Sequence, residues 1–346
     1  MSDRTWLTWG ALSCLTITLA CADDRATPHT SAALPTRAEA GSQAPQTGWD
    51  AIAPELRPAR VLPELKAAAL VPDRANHGTA LFTEIMSVPP GGDVMFCSYT
   101  SFIVPDRLYL HDTRGVQSRF GHHVIMQYTT SPQPVGTHEC AANSLEAQQS
   151  QIIGGAGEGA EVAYSANVVS EIPAGAQLII NHHWINTSDA PVEVQAEMVT
   201  VPPPADRSDL VVARAFIVQT TAFQVAPHVS SQASVHCELD RDVRLISILG
   251  HEHEWGTHVR AERMGSQPDV LFDHPYEPSM ALHPMVRYFP LEAPYRIKAG
   301  DAVRLACNWN NTTDAPLRFP GEMCVLAAWQ LGAAHDTMCF DGVWVQ

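Results

Sequence analysis

Six side chains able to hold a soft or borderline metal stand out in this sequence, three in each half. Phe120-Gly-His-His-Val-Ile-Met carries His122 and His123, and Asn181-His-His-Trp carries His183. In the second half, Gly250-His-Glu-His-Glu-Trp carries His251 and His253, and Gly321-Glu-Met-Cys carries Met323. Three imidazoles suit copper, zinc or iron. Two imidazoles with a thioether point to copper, because soft sulfur favours Cu(I) over zinc and hard cations. One set of each kind predicts two copper ions in different electronic environments, and therefore redox chemistry.

These residues need strands to bring them together. Side chains alternate faces along a strand, so His251-x-His253 puts both rings on one side. Glu252 and Glu254 then project to the opposite face, as solvated groups or as groups behind the ligands. Adjacent His122 and His123 would point apart in a regular strand and converge only at a strand end or a distortion. A His-x-His pair or a lone Met is also ordinary strand or core material, and 16 His residues make chance clusters easy. The weight lies in the conjunction, and in an internal repeat.

Shifted by 125 residues, the segment Ala174–Pro191 aligns without a gap on Ala299–Pro316, and the match runs on to Glu197-Met198 and Glu322-Met323. Trp184 falls on Trp309, Asn186 on Asn311, Asp189 on Asp314, Pro191 on Pro316 and Met198 on Met323. Each copy reads as an apolar strand, an Asn-Thr-Ser/Thr-Asp-Ala-Pro turn and a second strand. A His pair precedes each copy at a nearly equal offset, 122/123 and then 251/253. Two domains of one architecture, related by duplication, are expected. Copy one has His183 where copy two has Asn308, so Met323 is expected to be the ligand and Met198 a core residue.

The chain opens with Arg4, an apolar stretch from Trp6 to Ala20, and Thr18-Leu-Ala-Cys21. This reads as an export signal over residues 1–21, with Cys21 as a bacterial lipidation site, although Thr18 departs from the usual Leu. Simple secretion is the alternative, and both routes lead to an oxidising compartment. Residues 22–72 read as a flexible linker rich in Ala, Pro, Thr and Ser. One domain then spans 73–204, Val201-Pro-Pro-Pro-Ala205 is the link, and a second spans 205–346. Short β-like runs broken by Pro, Gly and Asp turns, with scarce helical periodicity, predict an all-β chain of antiparallel sandwiches. A net charge of −16 with two Lys, Lys66 and Lys298, argues against nucleic acid as a partner. Membrane association is expected through the lipidated N-terminus alone. The sequons at Asn186 and Asn311 matter only in a host that glycosylates. Beyond Cys14 and Cys21, six Cys remain: Cys97, Cys140, Cys237, Cys307, Cys324 and Cys339. An even number in an exported chain predicts three disulfides and leaves their pairing open. Thiolate ligation of copper is the competing use.

His122-His123 opening a strand, His183 before an aromatic, His251-x-His253 and Glu322-Met323-Cys324-Val325 occur in the order of a known family. The chain resembles the copper type II, ascorbate-dependent monooxygenases, the family of peptidylglycine α-hydroxylating and dopamine β-monooxygenases, from about residue 80 onward. The resemblance implies two jelly-roll-like sandwiches facing across a solvent-filled cleft. It gives His122, His123 and His183 an electron-transfer copper. His251, His253 and Met323 receive a catalytic copper that uses dioxygen and an ascorbate-like reductant. It also implies the pairs Cys97–Cys140, Cys237–Cys339 and Cys307–Cys324.

Departures bear on substrate. A Cys of the family is Thr129 here, and its partner position near Leu145 is not Cys either, so one bridge is missing as a unit. Leu249, Val325 and Ala327 stand where the peptide hydroxylases have an Arg, an Asn and a Tyr, and Asn181 replaces a Gln. A small, partly apolar substrate is expected rather than peptidyl-glycine. The alternative is a non-catalytic copper-binding or copper-relay lipoprotein on the same scaffold. A zinc hydrolase or a purely structural sandwich is a third reading, which Met323 disfavours as a zinc ligand.

Overall fold

Runs such as Val211–Gln219, Val243–His251 and Gln177–Ile185 are rich in β-branched and apolar residues, and in the computed structural model of the chain each becomes a strand. The structure describes residues 62, 64–68, 70–73, 78–140, 150–154, 165–281 and 284–345. Among these there is no α-helix, only a short 3-10 turn at Pro278–Ala281, and the fold is all-β with predominantly antiparallel pairing. The expected export signal, Cys21 and most of the expected linker lie outside the described residues, as does Leu145. The fold takes hold of the chain before residue 73. Leu62 is buried against Ala80, Phe82 and Val116, and Leu70–Asp73 is already a strand paired with Gly78–Phe82.

Each half has its own apolar core. One centres on Met126, Ile180, Trp184 and Met198, the other on Phe216, Leu245, Ile248 and Trp309. Val201 still ends a strand, opposite Asp112, and the three prolines and Ala205 that follow carry no strand pairing, as expected of residues that cannot donate to a ladder. The halves are nevertheless joined by a sheet. Val211–Gln219 pairs in parallel with Val168–Ile172, which pairs with Leu108–Leu110, so first-half strands extend the second half's largest sheet.

The repeated segments occupy matching places. Gln177–Ile185 runs between Asp93–Ile103 and Gly121–Thr129, and Ala302–Asn310 runs between Ser230–Glu238 and Gly256–Met264. The turns that follow use the same bonds. Asn186 Nδ2 donates to the carbonyls of Val88, Pro89 and Ala190, and Asn311 Nδ2 to those of Val225, Ala226 and Ala315.

One expectation from the repeat is corrected. His123 faces His183 in register as His258 faces Asn308, and in both halves the next pair skips one residue, joining Gly121 to Trp184 and Gly256 to Trp309. His122 and Thr257 are thus the extra residues of equivalent β-bulges. The counterpart of His122-His123 is Thr257-His258, and the pair 251/253 lies upstream of that point. The two candidate sets therefore sit at different places on one local plan.

The six described cysteines form three disulfides, Cys97–Cys140, Cys237–Cys339 and Cys307–Cys324, with Cα separations of 5.6, 6.4 and 5.7 Å. These are the pairings that the resemblance implies. Such bonds belong to oxidising compartments. Among the described residues, no helix is long and apolar enough to cross a membrane.

Candidate metal centre

The bulge solves the problem of the adjacent histidines. Phe120 turns the chain through a left-handed conformation (φ 70°), and its carbonyl receives the Ile185 amide at 3.0 Å. The extra residue at His122 then changes the alternation, so that His122 and His123 both reach His183. Ring centroids lie 5.5 Å apart for His122 and His123, and 5.0 Å from each of these to His183. One donor nitrogen of each ring lies within 4.8 Å of the others, a spacing that a single metal ion can span after small ring movements. His182 takes no part. It points away, accepts the Trp184 indole N–H at 2.7 Å and meets Ser98 Oγ at 2.9 Å.

In the second half, His251 ends its strand opposite Val325 and His253 follows two residues on, with the rings 5.1 Å apart. Glu322 fixes this segment. Its Oε1 accepts the backbone amides of His253 at 2.5 Å and Met323 at 2.8 Å, and Oε2 accepts that of Trp255 at 3.2 Å. His253 Nδ1 lies 3.1 Å from the Gly321 carbonyl, to which it donates. Met323 is buried at the head of the segment that leads into Val325–Leu331, whereas Met198 is packed in the first core.

The two sets meet. The His122 ring centroid is 4.0 Å from that of His253 and 6.5 Å from that of His251, and His183 is 6.2 Å from His253. No solvent-filled cleft separates these rings, and the five imidazoles form one cluster across the two halves. Burial, followed by the proximity of other imidazoles, holds His122, His123 and His253 well below the usual histidine range, and holds His251 at about 4. These four rings are thus neutral near pH 7, the form that offers a lone pair to a metal.

Three buried nitrogens in this cluster, His122 Nδ1, His183 Nδ1 and His253 Nε2, have no hydrogen-bond partner. Unpartnered polar atoms of this kind are costly, and a metal ion would satisfy them. Met323 enters this region through its backbone, since Glu322 Oε1 accepts both its amide and that of His253.

The two glutamates divide the expectation between them: Glu254 is exposed, whereas Glu252 is fully buried. Burial, with the nearby Glu322 carboxylate second, pushes Glu252 up to about 10, and burial raises Glu322 to about 7. A Cβ on Gly256 would come within 2.5 Å of Glu252 Oε2, and one on Gly121 within 2.3 Å of Gln117 Cβ. Each glycine gives room to the side chain four residues earlier. Gly121-His-His-Val124 and Gly256-Thr-His-Val259 are the sequence signal that places Glu252 on Gln117.

Two further residues have no local sequence signature. Glu322 appears in the Met323 motif without a role, and Asp93, whose Oδ1 lies 2.5 Å from His183 Nε2, belongs to no motif. The strand neighbours of His251 are apolar. Leu249 faces Ala327 across the strands, and Val325 and Ala327 pack with Ala215, Ile217 and Met338, joined by Ile152 of the first half.

No protein-family model matches this chain, and no curated protein matches it. Among solved structures, a triple jelly-roll turret protein of an archaeal virus is 7% identical over 79% of this chain and 86% of its own, with a TM-score of 0.22. The plant receptor-like kinase ANX1 is 8% identical over 75% of this chain and 100% of its own, with a TM-score of 0.21. The plant receptor-like kinase FER is 6% identical over 75% and 100%, with a TM-score of 0.20. At such TM-scores these likenesses bear on neither fold nor function.

Proposed function

We propose that this chain is an exported, copper-dependent monooxygenase that hydroxylates a C–H bond of a small, partly apolar substrate. The observation that carries the reading is the set of buried, unpartnered nitrogens on His122, His183 and His253 within a cluster of five imidazoles. His122, His123 and His183 would hold one copper, and His251, His253 and Met323 the other. Copper bound there would supply one-electron redox chemistry, by which one atom of dioxygen enters the C–H bond and the other leaves as water, with two electrons from an ascorbate-like donor. The chain's own residues bury and orient the rings. Glu322 holds the backbone of His253 and Met323 together, and the Gly321 carbonyl fixes His253 with Nε2 free. Leu249, Val325 and Ala327 offer an apolar wall without a charged anchor. Export as a lipoprotein, with lipid on Cys21, is part of the proposal and agrees with the disulfides.

The contact between His122 and His253 favours a second reading, a copper-binding or copper-relay protein, because packed rings leave no space between the sets for a substrate. Ascorbate-dependent oxygen uptake by the two-copper protein separates the two. A panel of apolar compounds is incubated with labelled dioxygen. One labelled oxygen atom in a product supports the monooxygenase, and reversible copper uptake with no oxygen consumption supports the relay.

A further inference from the structure

We infer that Asp93 is a positioning residue: it fixes the tautomer and ring orientation of His183 and links that ring to the loop carrying Met323. The inference rests on the reading of His122, His123 and His183 as metal ligands. Asp93 opens the strand Asp93–Ile103 opposite Ile185, while His183 lies opposite Met95. Residues two apart on a strand share a face, so Asp93 and His183 are diagonal neighbours on one side of the sheet. Asp93 Oδ1 is 2.5 Å from His183 Nε2. A carboxylate only accepts, so the Nε2 that faces it carries a proton, and Nδ1 is the nitrogen through which this ring can bind a metal. This leaves a lone pair on Nδ1, which is buried and has no partner. A carboxylate behind one ring nitrogen with the other nitrogen free is the arrangement by which proteins orient a metal-binding imidazole.

The other carboxylate oxygen faces the second half. A Cβ added to Gly321 would lie 3.1 Å from Asp93 Oδ2, so the glycine gives the carboxylate its place. The Gly321 carbonyl is also the acceptor for His253 Nδ1. One aspartate therefore touches a ligand of the first set and abuts the residue that orients a ligand of the second. This is a route by which the position of one half bears on the metal site of the other.

The test begins with the metal-free wild-type chain carrying 15N-labelled histidine, in which long-range proton–nitrogen correlations report the tautomer of each ring. His183 is expected with its proton on Nε2, and a proton on Nδ1 overturns the inference. Asp93→Ala is expected to abolish that preference. It should also weaken Cu(II) binding at the first set by about 10–100-fold in competition with a chelator, leaving His251, His253 and Met323 with their copper. Asp93→Asn keeps an acceptor and should recover part of the loss. Gly321→Ala should displace the carboxylate and weaken the first site too, although it lies in the other half's loop. Unchanged tautomer and affinity in Asp93→Ala overturn the inference. If the wild-type chain takes up no metal at the first set, the metal reading fails, and the tautomer still decides the role of Asp93.

Discussion

The rings of His122 and His253, contributed by opposite halves of the chain, lie 4.0 Å apart between centroids. Ions held by His122 Nδ1 and by His253 Nε2 would therefore be near neighbours. We expect two Cu(II) per chain with mutual dipolar broadening in electron paramagnetic resonance, and no intense thiolate-to-copper band, since the six described cysteines are all in disulfides. Removing the second set with His251→Ala and His253→Ala should restore a sharp spectrum from the first. Two unbroadened signals from the doubly loaded chain would mean that the halves separate when metal binds.

Met198 and Met323 occupy matching places in the repeat but differ in surroundings. Met198 is sealed in the core with Trp184 and Val124, whereas Met323 shares Glu322 Oε1 with His253. Met323→Ile keeps the volume and removes the soft donor, so Cu(I) at the second set should be destabilised and turnover lost. Ascorbate should still reduce copper at the first set. Met198→Ile should cost about 1 kcal/mol of stability and leave Cu(I) affinity unchanged. The reverse pattern would assign the thioether to Met198 instead.

Glu252 gives a pH dependence with a definite sign. Its carboxyl rises from an ordinary 4.5 to about 10 on burial, so between these values the unfolded chain has released a proton that the native chain keeps. Stability contributed by this group is therefore lost as pH rises, by about 3 kcal/mol at pH 7 relative to acid. Glu252→Gln, which places the residue type of Gln117 at the equivalent position, should stabilise the metal-free protein at pH 7. The gain should vanish toward pH 4.5 and below. Denaturant unfolding across that range measures it. A glutamine variant less stable than wild type at pH 7 would show that the carboxyl is ionised and paired.

The all-β architecture and the ligand-bearing strands were legible because each is local: turn residues, alternation, His-x-His and the ungapped repeat around Trp184 and Trp309. The distortion required by His122-His123 was legible as a need, and the bulge meets it. The equivalence of the two His pairs was misread because the spacing between repeats changes, from 125 residues between Trp184 and Trp309 to 135 between Gly121 and Gly256. Asp93 and Glu322 were beyond reach for a different reason. Asp93 meets His183 only through strand pairing, and Glu322 meets His253 only when a distant loop returns to it. Nothing in the neighbouring residues marks either contact. Glu252 was read from alternation, which gives the face of a side chain but not whether that face meets water.

Asn186 and Asn311 offer a matched pair for testing how far the two halves share their energetics. Each side-chain amide faces three backbone carbonyls, at 2.9–3.1 Å for Asn186 and 2.8–3.1 Å for Asn311. Each Oδ1 accepts the backbone amide and hydroxyl of the residue two further on, Ser188 or Thr313. Both asparagines are fully buried, so alanine would leave several backbone groups without partner or water. We expect Asn186→Ala and Asn311→Ala each to cost about 3 kcal/mol, with aspartate worse than alanine because it sets a carboxylate against carbonyl oxygens. Denaturant unfolding of the four variants gives the comparison. Similar losses at the two sites would mean that the turn is the same structural device in both halves. A large loss at one and none at the other would show that the shared geometry hides different local stability, with the weaker half opening first.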